Sequence, residues 1–266
     1  MSDLTVAILQ FNLHWENIDA NLAMFEEQIW NISEPVDVIV LPEMFNTGFS
    51  MTPEKLAEVP GLKTHKWLLQ MANQKNALIG GSYIVKEGTD YFNRFFMAFP
   101  DGSFQTYDKR HLFSLAKEEM FFKGGTERLI VNYKGWKICP LVCYDLRFPA
   151  WAKNKFDKTN GDYDYDLLIY VANWPKPRVN AWDTLLKARA IENQSYTLGC
   201  NRIGEDGNGH AYVGHSGAYD YLGDTLDFND NHEGVIIQKL NKSAQDEFRA
   251  KYPFVADSDE FSITIK

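Results

Sequence analysis

Cysteine, long apolar runs and positive charge are what this chain has little of. Cysteine occurs three times, at Cys139, Cys143 and Cys200. An odd, small number in a chain of this size cannot be a disulfide framework, and the default location for such a chain is a reducing one, the cytoplasm. No stretch approaches the roughly 18–20 consecutive apolar residues of a membrane helix. Residues 1–10 (MSDLTVAILQ) lack the basic region and long apolar stretch of a signal peptide. Lys and Arg number 27 against 36 Asp and Glu, a net charge of −9, with no basic patch, so neither a membrane nor nucleic acid is the expected partner. A small anionic substrate remains compatible, because a pocket can be locally positive. No repeat, low-complexity tract or Gly/Ser/Pro linker divides the chain, and a single domain over residues 1–266 is expected.

What is present is an ordinary globular composition, 45% apolar and 24% charged, which excludes wholesale disorder. Apolar, β-prone runs predict strands over 4–11, 38–41, 77–85, 137–142 and 166–172. Pro100-Asp101-Gly102 between 95–99 and 104–107 predicts a hairpin. Helices are expected at 17–30, with Ile18, Leu22, Phe25 and Ile29 on one face, and at 65–76. A third is expected at 180–194, with Trp182, Leu185, Leu186, Ala190 and Ile191 on its apolar side. Late strands are read at 198–203, 214–219 and 234–240, and a short polar helix at 243–251. Strands alternating with helices place the chain in the α/β or α+β class, and near-continuous apolar strands suggest sheets covered on both faces.

Functional side chains tend to lie just past the end of a buried strand, where a rigid sheet positions an exposed loop. Three such ends stand out. Glu43 follows Leu41-Pro42 amid apolar neighbours, which would raise its pKa and suit it to general acid–base work. Taken alone, an exposed loop glutamate is the plainer reading. Lys109 lies between a strand and Leu112-Phe113, where an ammonium aimed into a pocket could hold an oxyanion; a solvated lysine is the alternative. His111 beside it reads as a structural histidine. Cys143 ends the strand 137–142 at a turn whose N–H groups could favour a thiolate, or it is a small buried hydrophobe. Together these supply a base, an oxyanion clamp and a nucleophile, the parts of an acyl-transfer site. His210 and His215 are five apart without a cysteine or acidic cluster, so no zinc site is expected.

Leu41-Pro42-Glu43, Tyr107-Asp108-Lys109-Arg110-His111-Leu112-Phe113 and Cys143-Tyr144-Asp145-Leu146-Arg147-Phe148-Pro149 resemble the three signature segments of the nitrilase superfamily of carbon–nitrogen hydrolases. Glu43 and Lys109 are 66 residues apart, Lys109 and Cys143 34, and these separations fit as well. The similarity extends to Ala172-Asn173-Trp174-Pro175 and Lys187-Ala188-Arg189-Ala190-Ile191-Glu192-Asn193, and is nearest the omega-amidase branch, which hydrolyses 2-oxoglutaramate and similar 2-oxo acid amides.

The resemblance implies a four-layer α-β-β-α sandwich of two mixed sheets flanked by helices, usually assembled as homodimers or larger homo-oligomers. It implies Glu43 as base, Lys109 as oxyanion stabiliser and Cys143 as nucleophile, with the backbone N–H of Tyr144 at the oxyanion, a thioester intermediate, and no metal or organic cofactor. Glu118, ahead of Phe121-Phe122 and Gly125, matches an assisting glutamate, although its neighbour Glu119 and a surface role beside Lys117 are both open. Arg147 is a candidate carboxylate clamp, or pairs with an acid beneath the turn. Phe45, Phe49, Tyr144, Asn173 and Trp174 are expected around the substrate. Competing readings are a nitrilase, an N-carbamoyl amino acid hydrolase or an aliphatic amidase on the same fold, a Cys–His hydrolase, and a non-catalytic binding or scaffold protein.

Overall fold

The computed structural model describes residues 3–264. Its first half runs β1 (Leu4–Gln10), α1 (Ile18–Asn31), β2 (Val38–Val40), α2 (Lys63–Lys75), β3 (Leu78–Glu87), β4 (Asp90–Ala98) and β5 (Phe104–Asp108). The second half runs β6 (Val131–Tyr133), β7 (Trp136–Val142), β8 (Leu167–Ala172), α3 (Val179–Asn193), β9 (Tyr196–Asn201), β10 (Ser216–Tyr219), β11 (Thr225–Asn229), β12 (Gly234–Leu240) and α4 (Lys242–Lys251). Two six-stranded sheets result, ordered β12-β1-β2-β3-β4-β5 and β11-β10-β9-β8-β7-β6. Each has parallel strands at its centre, β1-β2-β3 and β7-β8-β9, and antiparallel strands outside them.

Strand periodicity builds the layers. On β1, Val6 and Ile8 face the second sheet, while Ala7 and Leu9 face α1 and α2, because successive side chains of a strand point to opposite faces. Asn17 caps α1 by accepting the Ala20 N–H, and Leu22, Phe25 and Ile29 are buried at helical spacing. Helix α3 covers the other sheet through Trp182, Leu186 and Ala190. Gly199 of β9 permits this approach: a Cβ there would lie 2.4 Å from Leu186 Cδ1. The four layers are helices, sheet, sheet, helices, as the resemblance implied. Among the described residues no helix is long and apolar enough to cross a membrane.

Some local expectations fail. Ile191 is 55% exposed, because Trp182, Leu186, Ala190 and Asn193 occupy the sheet-facing side of α3. Neither β6 nor β11 was expected: β6 is only three residues long, and β11 is a polar, partly exposed edge strand. The β4–β5 hairpin begins at Asp90 rather than at residue 95. That extension matters for the site, because it places Asn93 beside Lys109, whose N–H donates to the Asn93 carbonyl at 3.0 Å. Asn93 shares its strand face with Phe95 and Met97, which point between the sheets.

Candidate active site

Glu43, Lys109 and Glu118 converge at one end of the inter-sheet layer, all three fully buried. Lys109 Nζ donates to Glu43 Oε1 at 2.9 Å and to Glu118 Oε2 at 2.9 Å and Oε1 at 3.1 Å. Asn93 Nδ2 donates to Glu43 Oε1 at 2.8 Å and reaches Glu118 Oε1 at 3.4 Å. The remaining Glu43 oxygen accepts the Asn173 N–H at 2.8 Å, and the Phe113 N–H donates to Glu118 Oε2 at 2.6 Å. Two carboxylates around one ammonium are tolerable in a dry interior only with such full pairing. Glu119, by contrast, is exposed, and it is Glu118 that meets Lys109.

Burial works against the Lys109 ammonium, but the charges of Glu118 and Glu43 outweigh it and hold its pKa above the usual lysine range. Burial raises the Glu118 carboxyl; Lys109 pulls it down and Glu43 pushes it up again, leaving it above the ordinary glutamate value.

Cys143 lies beside this cluster in the left-handed region, at φ +44°. It begins a 3-10 turn over Cys143–Arg147, whose first N–H groups, Tyr144's included, have no acceptor within the turn. The turn is tied down from below. Asp145 accepts the Val142 N–H at 3.0 Å, the Tyr107 hydroxyl at 2.8 Å and the His111 N–H at 3.0 Å, and pairs with His111 Nδ1 at 2.8 Å. Arg189 of α3 donates to the Leu146 carbonyl. The Lys109 loop and the Cys143 turn are thereby held together by one buried carboxylate.

The surroundings of the thiol act on its ionisation in opposite senses. Burial first, then the Glu43 charge, pushes its pKa well up, and Lys109 only partly offsets them. Loss of the thiol proton therefore calls for a base, and Glu43 is the carboxylate beside it. The other two cysteines are sealed in the core, and burial pushes Cys139 up to about 12.

Cys143 opens into a cavity of about 210 Å³ with Phe49, Tyr144, Arg147, Asn173 and Trp174 in its walls. The Arg147 guanidinium lies 4.8 Å from the Trp174 ring centre, and no acid pairs with it among the described residues. The acid beneath the turn, Asp145, is occupied by Tyr107 and His111. Asn173 lines the cavity, but its Nδ2 donates to the Glu43 carbonyl at 2.6 Å, so its side-chain donor, like its backbone N–H, holds Glu43. Phe45 is a correction: it is fully buried on the helix side of the first sheet, 5.8 Å from Phe25 and 5.9 Å from Trp67. The Ser82 hydroxyl and carbonyl accept the Met44 and Phe45 N–H groups, and Met44 adopts φ +42°; Glu43 points inward and Phe45 away. His111 stacks on Phe148, ring centres 3.7 Å apart, as a structural histidine does.

Three contributors escaped the sequence reading. Asn93 looks like a polar residue on a half-exposed strand until register places it between the sheets. Asp145 lies within a signature segment without a role of its own. The third is the hairpin formed by Ile203–Glu205 and Ala211–Val213, which brings Asp206, Asn208, His210 and Tyr212 to the cavity; its Asp206-Gly207-Asn208-Gly209 turn was a legible signal. His210 pairs with Asp206 there, whereas His215 pairs with Asp183.

Asn93→Leu keeps the branched four-atom side-chain framework and removes a donor shared by two buried carboxylates. Hydrogen bonds to charged groups contribute about 1.5–3 kcal/mol, so a loss of at least about tenfold in kcat is expected, with far-UV circular dichroism unchanged. Parental kcat would show that Asn93 does not set the cluster.

Comparison with known proteins bears on these observations. A profile of the family described as carbon-nitrogen hydrolase matches residues 5–250. The omega-amidase YafV of Escherichia coli K12 is 44% identical over 99% of this chain and all of its own. The 2-oxoglutaramate amidase of Bacillus subtilis is 31% identical, with 95% of this chain and 96% of that one covered. Among solved structures, XC1258 from Xanthomonas campestris, described as a CN-hydrolase superfamily protein with an arsenic adduct in its active site, superposes with a TM-score of 0.96. It is 39% identical over 99% of this chain and all of that one.

Proposed function

The chain belongs to the carbon–nitrogen hydrolase family, and on that premise we propose that it is an omega-amidase. It converts 2-oxoglutaramate or 2-oxosuccinamate to the 2-oxo dicarboxylic acid and ammonia. The observation that carries this reading is Lys109 bridging Glu43 and Glu118 beside a thiol that opens into a small cavity.

The thiol's raised pKa makes a base necessary at the moment of attack. Glu43 takes the Cys143 proton as sulfur bonds to the amide carbon. The carbonyl oxygen becomes an oxyanion, held by Lys109 and the Tyr144 N–H; one such donor is worth roughly 3–4 kcal/mol of barrier. As the tetrahedral adduct collapses, the C–N bond breaks, Glu43 returns the proton to nitrogen, and ammonia leaves a thioester. Water then adds to the thioester, giving its proton to Glu43. The C–S bond breaks, and Glu43 reprotonates the sulfur. Glu118 keeps Lys109 charged and, through Lys109 and Asn93, fixes Glu43.

At the far end of the substrate, Arg147 binds the carboxylate, supported by its place in the cavity wall and its lack of an acidic partner among the described residues. Self-association belongs to the same reading. The exposed Ile191 and Leu222, adjacent at Gly223, and Leu226 and Phe228 on the β11 edge supply apolar surface for it.

Ammonia release from 2-oxoglutaramate and from pentanamide, a neutral amide of similar length, tests the assignment. A kcat/KM at least about tenfold higher for 2-oxoglutaramate is expected if a charge-assisted contact is made. Equal values, or preference for pentanamide, a nitrile or a carbamoyl amino acid, would overturn it.

A further inference from the structure

The chain contains eight arginines. Six donate side-chain hydrogen bonds within the protein: Arg94, Arg110, Arg128, Arg189, Arg202 and Arg249. The two that do not, among the described residues, are Arg147 and Arg178, and both line the cavity that holds Cys143. Each lies over an aromatic ring instead, Arg147 over Trp174 at 4.8 Å and Arg178 over Phe113 at 5.2 Å. Trp174 joins the two, because its indole N–H donates to the Arg178 carbonyl at 2.8 Å.

Two guanidinium groups in one small cavity repel each other unless an anion sits between them. In an acidic chain whose other arginines all donate side-chain hydrogen bonds within the protein, these two half-buried guanidinium groups are left open to an anionic ligand. The wall does contain one carboxylate, Asp206, but its oxygens are spent. They accept the Asn208 and His210 N–H groups at 2.9 and 3.0 Å and the Tyr212 hydroxyl at 2.8 Å. The cavity therefore presents two open cationic forks and no open carboxylate at its wall.

Resting on the omega-amidase reading, we infer that Arg178 is a specificity-determining residue that works with Arg147 to select 2-oxo acid amides over amino acid amides. A 2-oxo acid offers three acceptor oxygens at adjacent carbons, two of the carboxylate and one of the ketone, enough for two forks. Glutamine carries an ammonium in place of the ketone. That ammonium would face two guanidinium groups, and the one carboxylate of the wall, Asp206, has its oxygens already engaged, so the site disfavours it by repulsion as well as by lost hydrogen bonds. Arg178 also bears on catalysis indirectly, since Phe113 beneath it donates its N–H to Glu118.

Arg178→Met keeps an unbranched stem over Phe113 and removes the charge; Arg178→Lys keeps the charge and loses the fork. The kcat/KM of wild type and both variants is measured for 2-oxoglutaramate, glutamine and pentanamide. In Arg178→Met the preference for 2-oxoglutaramate over pentanamide is expected to fall about tenfold to hundredfold, the loss of a hydrogen bond to a charged group. Glutamine should gain relative to pentanamide, and Arg178→Lys should restore part of the preference. Equal losses on all three substrates would reduce Arg178 to a prop for Phe113 and overturn the inference. A wild type that favours 2-oxoglutaramate, with that preference unchanged in Arg178→Met, would overturn this assignment alone. A wild type indifferent to the carboxylate would overturn the omega-amidase reading and this assignment with it.

Discussion

Cys143→Ala is expected to release no ammonia from 2-oxoglutaramate above the buffer rate while remaining folded and able to bind it. The chemistry leaves no substitute: the Cys139 and Cys200 thiols are sealed in the core, and a methyl group cannot form the thioester. The fold should hold for three reasons. Alanine and cysteine tolerate φ +44° equally, so the backbone strain at residue 143 is unchanged. The turn is held by Asp145 and Arg189 rather than by sulfur. The Lys109, Glu43 and Glu118 cluster is paired within itself. A melting temperature within about 4 °C of the parent, equivalent to roughly 1 kcal/mol for a chain of this size, and calorimetric binding of 2-oxoglutaramate check this. Turnover by the variant would mean a different nucleophile.

Glu43→Gln should lower kcat by at least about a hundredfold, the lower range for loss of a general base. Two further consequences make the test specific. If the amide oxygen of the glutamine takes the place of Oε1, facing Lys109 and Asn93, its NH2 faces the Asn173 N–H, donor against donor. That mismatch costs about 1–3 kcal/mol and should lower the melting temperature. The thiol should also become easier to ionise. Glu43 raises its pKa by charge and by hydrogen bonding, so removing the carboxylate lowers it, and the pH at which iodoacetamide alkylates Cys143 at half its maximal rate should move down. Near-parental kcat would identify another base. An alkylation profile that stayed in place or moved up would show that Glu43 does not govern the thiol.

The fold was legible because its signals are short-range. The apolar runs of β1, β7 and β8 and the spacing of Leu22, Phe25 and Ile29 need only neighbours in the chain to be read. The ends of β2, β5 and β7 likewise pointed to Glu43, Lys109 and Cys143, and the structure brings them together. Where reading failed, the missing quantity was a direction or a distance. Phe45 is two residues from Glu43 yet faces the opposite layer, because the Ser82-braced turn reverses which side each residue points to. Asn93 joins the cluster only through hairpin register. Ile191 belongs to the helix it was assigned to, but on the side that α3 turns outward. The burial that raises the pKa of the Cys143 thiol, and the closeness of a carboxylate 100 residues away in sequence, are likewise set only by the fold.

Composition and order of residues therefore determined the layered α/β architecture, the family and which side-chain chemistries were available. Tertiary structure alone decided that one ammonium is shared between two buried carboxylates, that burial and Glu43 raise the pKa of the thiol, and that two arginines with no acidic partner among the described residues line one small cavity. The reason is physical. Secondary structure and burial preference follow from periodicities a few residues long, but charge state and reactivity depend on separations of about 3 Å between atoms from different sheets, in a medium whose low dielectric exists only once the chain has folded.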